Sequence, residues 1–329
     1  MEASTIEAYL VGHVADWVDV AVSDVEAIGQ GWESEIYGFV AKSPTASHDL
    51  VLRAYTGPGG EQKAVIEGRG MPRLSDANYP VPRVYHFETD REALGLPFII
   101  MERAEGTDLW PQMNHASERH RIALEQEFVD LVVELHQVDP EPFLEELMVD
   151  VADPHQFTRR TFATWRSTVN DAPAAGFSEA VDWFEANVAP LSATVVHNDF
   201  HPGNVLRTSS GATTVLDWTG LGVGDPRGDL AWTLMLLEIY GDAGAASRVK
   251  DAYSDRLATP DLDFFMAAAC LKRLYSLVIS LTLGPQAMGM RAEAEASMRR
   301  ELQNSGQTYG GFRNITGLRL PSFEELTGF

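Results

Sequence analysis

The spacing of apolar residues changes character along this chain, and that change limits the folds open to it. Up to residue 105 the sequence shows short β-rich runs at Val25–Ile28, Ile36–Lys42, Leu50–Tyr55, Val84–Phe87 and Phe98–Met101. Turn chemistry such as Gly57-Pro58-Gly59-Gly60 separates them. Two helical patterns sit among these runs: residues 4–18, with Ile6, Leu10, Val14 and Trp17 on one face, and Glu61–Leu74. After Gly106 helical spacing dominates, at about 117–138, 141–149, 155–169, 176–188 and 229–304. A β-rich insert runs from Thr194 to Trp218, and Ile315–Pro321 reads as an extended ending. These features predict an α+β chain of two domains, a small β-rich N-terminal lobe (1–105) and a larger, mostly helical C-terminal lobe (106–329). The hinge falls near Glu102–Gly106, and 329 residues give each lobe room for a core.

The β-rich insert carries His197-Asn198-Asp199-Phe200-His201-Pro202-Gly203-Asn204, entered from Val195–Val196 and left through Val205–Leu206. Val215-Leu216-Asp217-Trp218 follows after the turn Ser209-Ser210-Gly211. Polar residues between two short strands form a loop, and strand-held loops are where reacting groups are placed. A hairpin of this length is expected to return Asp217 toward Asn204. Phosphoryl transfer needs a carboxylate to orient the attacking hydroxyl and take its proton, and hard oxygen ligands for Mg²⁺. Asp199 fits the first role, and Asn204 with Asp217 fits the second. The same stretch supports a second reading, a metallohydrolase cluster of His197, Asp199, His201 and Asp217. That alternative leaves Asn204 and the whole N-terminal lobe unexplained.

The pair of segments resembles the His-Gly-Asp-x-x-x-x-Asn loop and (Ile/Leu)-Asp-(Trp/Phe) metal motif of the aminoglycoside phosphotransferase and choline kinase family. The resemblance implies a bilobal protein-kinase-like fold and a phosphotransferase that uses ATP or GTP with Mg²⁺ to phosphorylate a small-molecule hydroxyl. It extends over nearly the whole chain. Gly224-Asp225-Pro226-Arg227-Gly228-Asp229-Leu230-Ala231 is similar to the family's Gly-Asp-Pro-x-x-Asp-Leu-Ala segment, which gives Asp225 and Asp229 structural roles. For Asp229, capping the next helix and bracing the catalytic loop are compatible readings. His197 is expected to brace the loop rather than accept the proton. Gly29-Gln30-Gly31-Trp32-Glu33-Ser34 stands where the family places its phosphate-covering loop, which makes Gly29, Gly31 and Ser34 nucleotide-binding candidates. Arg53 ends a β run where the wider fold uses lysine, so the resemblance assigns Arg53 to the phosphates and Glu67 as its partner. Phe98–Gly106 resembles the hinge, where the backbone from Glu102 to Ala104 would read the base. Met101 reads as a core or gatekeeper residue, His136 as a structural one, and the tryptophans as packing.

Other activities are argued against by what the chain contains. It lacks Gly-x-x-x-x-Gly-Lys-Ser/Thr and a dinucleotide fingerprint. Asp217-Trp218-Thr219 stands where a protein kinase has Asp-Phe-Gly, and Ala-Pro-Glu is missing, which favours small-molecule acceptors. An inactive nucleotide-binding module of the same fold remains an alternative, although Asp199, Asn204 and Asp217 are all present. With 48 acidic against 25 basic residues, the formal charge of −23 repels a nucleic-acid backbone. It suits solubility, high salt or a cationic acceptor alike, and for an acceptor of that kind Asp150, Asp153 and Glu238 are candidate contacts. Cys270, the single cysteine, reads as a buried thiol. No apolar run approaches the ~20 residues that span a bilayer, and the first residues lack a secretory pattern. The expectation is a cytoplasmic monomer or homodimer with no membrane partner.

Overall fold

The structure is a computed structural model. It describes all residues except 15–16, 18, 31–32, 58, 148–162, 164–165, 167–173 and 189–190. The chain divides into two compact units. The first comprises Met1–Gly106, Leu206–Thr219 and Gly289–Arg291; the second comprises Thr107–Val205, Gly220–Met288 and Ala292–Phe329. The hairpin that ends in Asp217 thus belongs with the N-terminal unit, far from it in sequence.

The first unit is built on an antiparallel sheet of β1 (Ala21–Gln30), β2 (Ser34–Lys42), β3 (Ser47–Tyr55), β4 (Val84–Glu88) and β5 (Phe98–Glu102). Their spatial order is β1-β2-β3-β5-β4. β3 is central, and every residue from Leu50 to Tyr55 is buried. Alternation along a strand sends successive side chains to opposite faces, so burial of both parities requires cover on both sides. Leu50, Leu52 and Ala54 join a cluster with Ile6 and Leu10 of α1 (Ala3–His13). Arg53 and Tyr55 point the other way and bond to Glu67 of α2 (Gly60–Asp76). α1 stops at His13, short of the predicted residue 18, and Val14 is already extended. β6 (Thr107–Asp108) follows the last sheet strand.

The second unit holds α3 (Leu109–His115), α4 (Glu118–His136), α5 (Glu141–Glu146) and α6 (Ser178–Ala186). Beyond Gly224 come α7 (Pro226–Tyr240), α8 (Ala245–Ser254), α9 (Leu262–Leu283), α10 (Glu295–Gln303), α11 (Ser305–Thr316) and α12 (Pro321–Thr327). The extended C-terminal ending expected from sequence is cut to the few residues between Gly317, the left-handed cap of α11 at φ +72°, and Pro321, which opens a further helix with Phe323 buried. Of the predicted helix at 155–169 only Ala163 and Arg166 are described, and Arg166 pairs with Asp182 and Glu185 of α6. α9 is long and apolar enough by composition to cross a membrane, contrary to the reading of uninterrupted runs, because Lys272 and Arg273 break the run without breaking the helix. Of its most apolar 18 residues 61% are buried inside the protein, where α9 packs on α7 and α11, so it is a core helix. Cys270 lies on it, buried as expected, and burial pushes its thiol up to about 12.

β7 (Thr194–Val196) pairs antiparallel with β10 (Gly222–Gly224), Val195 opposite Val223. β8 (Val205–Arg207) and β9 (Thr213–Val215) form the hairpin, closed by Thr208 N donating to Ala212 O at 2.9 Å. With one sheet-bearing unit and one helical unit, the chain is α+β, as predicted.

Candidate active site

In the second unit the segment His197–Asn204 leaves β7 and is tied to one face of α7. Asp229 accepts from the amides of His197 at 2.7 Å and Asn198 at 2.6 Å. One turn on, Trp232 Nε1 donates to Asp199 Oδ1 at 2.6 Å, and Thr233 Oγ1 donates to the Phe200 carbonyl at 2.6 Å. Positions i, i+3 and i+4 share a helix face, so three side chains of α7 grip four consecutive loop residues. Main-chain groups kept from water need such partners. Asn204 Nδ2 donates to the Asp199 carbonyl at 2.9 Å, and Lys272 Nζ to the Asn198 carbonyl at 2.8 Å.

Asn198 adopts φ +64°, a left-handed conformation that asparagine tolerates, and its side chain donates to the Gly220 carbonyl at 2.8 Å. A Cβ on Gly220 would lie 2.7 Å from the His197 carbonyl, so only glycine allows this approach. His197 is fully buried with its ring edge-to-face on Phe200. The helix N-cap is Asp225, whose Oδ1 accepts from Arg227 N at 3.0 Å, so Asp229 does not cap. Asp225 also holds the Arg227 guanidinium and the Ser192 amide.

Asp229 is buried, and burial alone would raise its carboxyl. The hydrogen bond and charge of His136, with those of His197, outweigh this and hold it below the usual carboxylate range. His136 is itself satisfied, with Nδ1 2.8 Å from the Tyr253 hydroxyl. Asp199 differs from Asp229 in exposure, its side chain being 43% accessible. His201 Nε2 stands 3.8 Å from its Oδ1, while His201 Nδ1 accepts from Gly203 N at 3.1 Å, which puts the ring proton on Nε2, facing the carboxylate.

In the first unit one guanidinium organises the predicted residues. Arg53 Nε donates to Ser34 Oγ at 3.2 Å, Nη1 to Glu67 Oε1 at 3.1 Å and Nη2 to Asp217 Oδ1 at 2.8 Å. Glu67 also accepts from the Trp218 amide at 2.8 Å and from the Tyr55 hydroxyl. Burial alone would depress Arg53, but the carboxylates of Glu67 and Asp217 reverse it and keep the group charged. Asp217 sits at φ +63°, a sparsely populated conformation for aspartate, and its side chain is 39% exposed. Fully buried Trp218 anchors the turn, its Nε1 donating to the Val215 carbonyl at 2.9 Å.

Gly29 lies on β1 opposite Ile36, beside a register shift, and Gly31 is outside the described residues. Ser34 is fully buried at the start of β2 and its hydroxyl is engaged by Arg53. At the hinge, Glu102 N donates to the Arg83 carbonyl at 2.8 Å and Arg103 N to the Asp49 carbonyl at 3.0 Å. Of the three amides from Glu102 to Ala104, these bonds engage the first two. Of the acceptor candidates, Asp150 and Asp153 are outside the described residues, and Glu238 is exposed on α7.

Asn204 and Asp217 lie in different units. Each offers a hard oxygen of the kind Mg²⁺ takes, and Asn204 does so because its amide nitrogen is committed to the Asp199 carbonyl, which turns Oδ1 the other way. Taken singly, each donor is of a kind that fits magnesium. The metallohydrolase cluster is not formed: among the described residues no three His, Cys, Asp or Glu side chains gather closely enough to hold a metal ion.

Sequence reasoning missed Trp232, which it took for packing, and Lys272. The usable signal was position, since Trp232 and Thr233 repeat Asp229's side of an otherwise apolar helix. It also missed Lys63, which pairs with Glu33 just after the glycine-bearing turn.

The model of the family described as "Phosphotransferase enzyme family" matches residues 24–265. Acyl-CoA dehydrogenase family member 10 of Mus musculus is 24% identical over 213 residues, covering 62% of this chain and 20% of that protein. Hygromycin-B 4-O-kinase of Escherichia coli is 24% identical over 250 residues, covering 70% of this chain and 66% of the kinase. The chain thus spans a fifth of the first relative and just under two thirds of the second. Among solved structures, a Ralstonia eutropha JMP134 protein described as an aminoglycoside phosphotransferase superposes with a TM-score of 0.66 at 20% identity, over 95% of this chain and 98% of that one. The ternary complex of a thermostable mutant of aminoglycoside phosphotransferase APH(4)-Ia with AMP-PNP and hygromycin B gives 0.60 at 18% identity, over 96% and 98%. At these identities the likeness is one of fold, the protein-kinase-like arrangement expected from the sequence.

Proposed function

The chain belongs to the phosphotransferase enzyme family, and from that premise we propose that it transfers the terminal phosphoryl group of ATP or GTP to a hydroxyl of a small molecule. The observation that carries this reading is the presentation of Asp199. Its carboxylate is 43% exposed, while the loop around it is bonded almost residue by residue to α7. A proton acceptor needs an exposed oxygen on a rigid support, and this arrangement supplies both.

In the proposed mechanism Asp199 orients the acceptor hydroxyl and takes its proton as the oxygen bonds to the γ-phosphorus. The bond from that phosphorus to the bridging oxygen breaks, and a nucleoside diphosphate leaves. Asn204 and Asp217 would hold magnesium, which neutralises phosphate charge when bound. Arg53, kept charged and braced by Glu67 and Ser34, would contact the phosphates. Backbone from Gly29 and Gly31 to Ser34 would cover them, and the Glu102–Ala104 main chain would receive the base, with the Ala104 amide as donor. His197, Asp225 and Asp229 support the loop.

The surplus of acidic residues favours a cationic acceptor, and the name of the Escherichia coli relative makes hygromycin B one to try first. A coupled ADP- or GDP-release screen over amino alcohols, aminoglycosides and sugars, with and without Mg²⁺, tests the proposal. Metal-dependent release with at least one acceptor is expected. Nucleotide binding with no turnover across the library would instead identify a non-catalytic binding module.

A further inference from the structure

The indole of Trp232 and the ammonium of Lys272 form, with Asp199, a relay that neither the sequence motifs nor the family match assigns. Lys272 Nζ lies 4.2 Å from the centroid of the Trp232 ring, and Trp232 Nε1 donates to Asp199 Oδ1 at 2.6 Å. The same ammonium donates to the carbonyl of Asn198, the residue before Asp199, at 2.8 Å. Lys272 is one of four lysines in a chain with 48 acidic residues, and it is exposed where it meets the loop.

We propose that Trp232 is a positioning residue for Asp199 and that Lys272 acts through it. The inference rests on the reading of Asp199 as proton acceptor. A carboxylate on a single rotatable stem samples several orientations unless one oxygen is fixed. An indole offers one donor and no acceptor, so it can hold Oδ1 without taking the substrate's proton. The other oxygen is thereby directed to the hydroxyl. A cation over the ring face draws on the π density and makes the indole N–H a stronger donor. Lys272 thus tightens the bond from the far side of the ring while pinning the main chain next to the carboxylate. Thr233, the next residue, fixes the Phe200 carbonyl, so the stretch on both sides of Asp199 is anchored independently of the indole. Loss of the indole N–H should therefore free the carboxylate without releasing the loop.

The test uses the full-length protein in two arms. In the first, Trp232→Phe keeps the ring and its cation but removes the donor. A hydrogen bond to a charged group implies a loss of roughly 10- to 100-fold in kcat, with the nucleotide KM unchanged within about twofold. Lys272→Met, at an exposed site where folding is not at stake, should lower kcat by about three- to tenfold, and Lys272→Arg should restore it because it also stacks on the ring. Trp232→Phe with kcat within about twofold of the parent overturns the positioning role. A parent protein inactive toward every acceptor overturns the phosphotransfer reading itself. In the second arm, which needs no turnover, the Trp232 indole proton is followed by ¹⁵N–¹H correlation and assigned by its absence in Trp232→Phe. The bond to Asp199 is expected to place it downfield, and Asp199→Ala should move it upfield. A resonance indifferent to Asp199→Ala would overturn the contact whatever the kinetics show.

Discussion

Arg53 donates to Asp217 Oδ1 at 2.8 Å through Nη2 and to Glu67 Oε1 at 3.1 Å through Nη1, so a single guanidinium joins α2 to the end of the β8–β9 hairpin. A third donor, Nε, reaches Ser34 Oγ at 3.2 Å on β2. Lysine could not make these bonds together, because its ammonium is one point on a flexible stem, whereas the guanidinium is a planar fork. The arginine at this strand end is thus explained by local geometry.

Replacing Arg53 should expose how much that fork carries. Arg53→Met leaves Glu67, whose side chain is 1% exposed, as a buried carboxylate without its cation, and a loss of about 3–5 kcal/mol is expected. Arg53→Lys keeps the charge but drops partners, and about 1–2 kcal/mol should be lost. Urea unfolding followed by circular dichroism measures both; equal stability of Arg53→Met and the parent would show that Glu67 is held by Tyr55 and Trp218 alone.

Asp199→Asn should keep the fold, since an amide oxygen can still accept from Trp232. Turnover should fall by about 10²–10⁴-fold, and nucleotide affinity should stay the same. Steady-state rates and nucleotide titration calorimetry separate the two quantities. Full activity in this variant would remove Asp199 from the chemistry.

For Asp217→Asn the expected change is in metal dependence. A carboxylate ligand becomes neutral, so the Mg²⁺ concentration giving half-maximal rate should rise about tenfold or more, as metal-site losses run. An unchanged magnesium titration would count against Asp217 as a ligand.

Stability in acid should depend on Asp229. Its folded-state pKa lies below the unfolded value of about 3.9, because the His136 and His197 interactions outweigh burial. A depressed carboxylate contributes stability that is present above the unfolded pKa and is lost as pH falls through the folded one. Asp229→Asn should therefore destabilise the protein at neutral pH, with the gap to the parent closing below about pH 4. Thermal melts from pH 3 to 7 read this directly, and a gap that stays constant with pH would contradict it.

Gly68 packs α2 against the sheet, since a Cβ there would lie 2.3 Å from the Phe87 ring. Gly68→Ala should push the helix away and cost about 1–3 kcal/mol despite alanine's better helix propensity. Because Glu67 is the neighbouring residue, the Arg53 contact should loosen as well, which weaker nucleotide binding in the variant would report. A stabilised variant would mean that Phe87 rotates aside.

The sheet strands at β2, β3 and β5 were legible in the sequence because buried, β-branched runs bounded by turn residues have few other uses. The Asp199, Asn204 and Asp217 motifs stood out too, since the proposed phosphoryl transfer asks for those residue types. The Arg53–Glu67 pairing came from a family resemblance, and the structure supplies its geometry. What sequence could not assign was which polar residues of a helix face inward. Asp229 was expected to cap α7 or to brace the loop, yet Asp225 caps it and Asp229 only braces, a difference of one helical turn. Trp232 read as packing because an indole is mostly apolar surface, and its single N–H declares no partner until the chain is folded.

The order of residues alone determined the α+β division and the strand-held segment His197–Asn204 with its acid and amide side chains, because periodicity and local turn chemistry act over a few neighbours. Tertiary structure alone decided that Glu67, Arg53 and Asp217 share one ion-pair network, that Trp232 reaches Asp199, and that Lys272 reaches the Trp232 ring and the Asn198 carbonyl. Those contacts join elements far apart in sequence, and such bonds depend on where whole helices and strands come to rest, which no local pattern encodes.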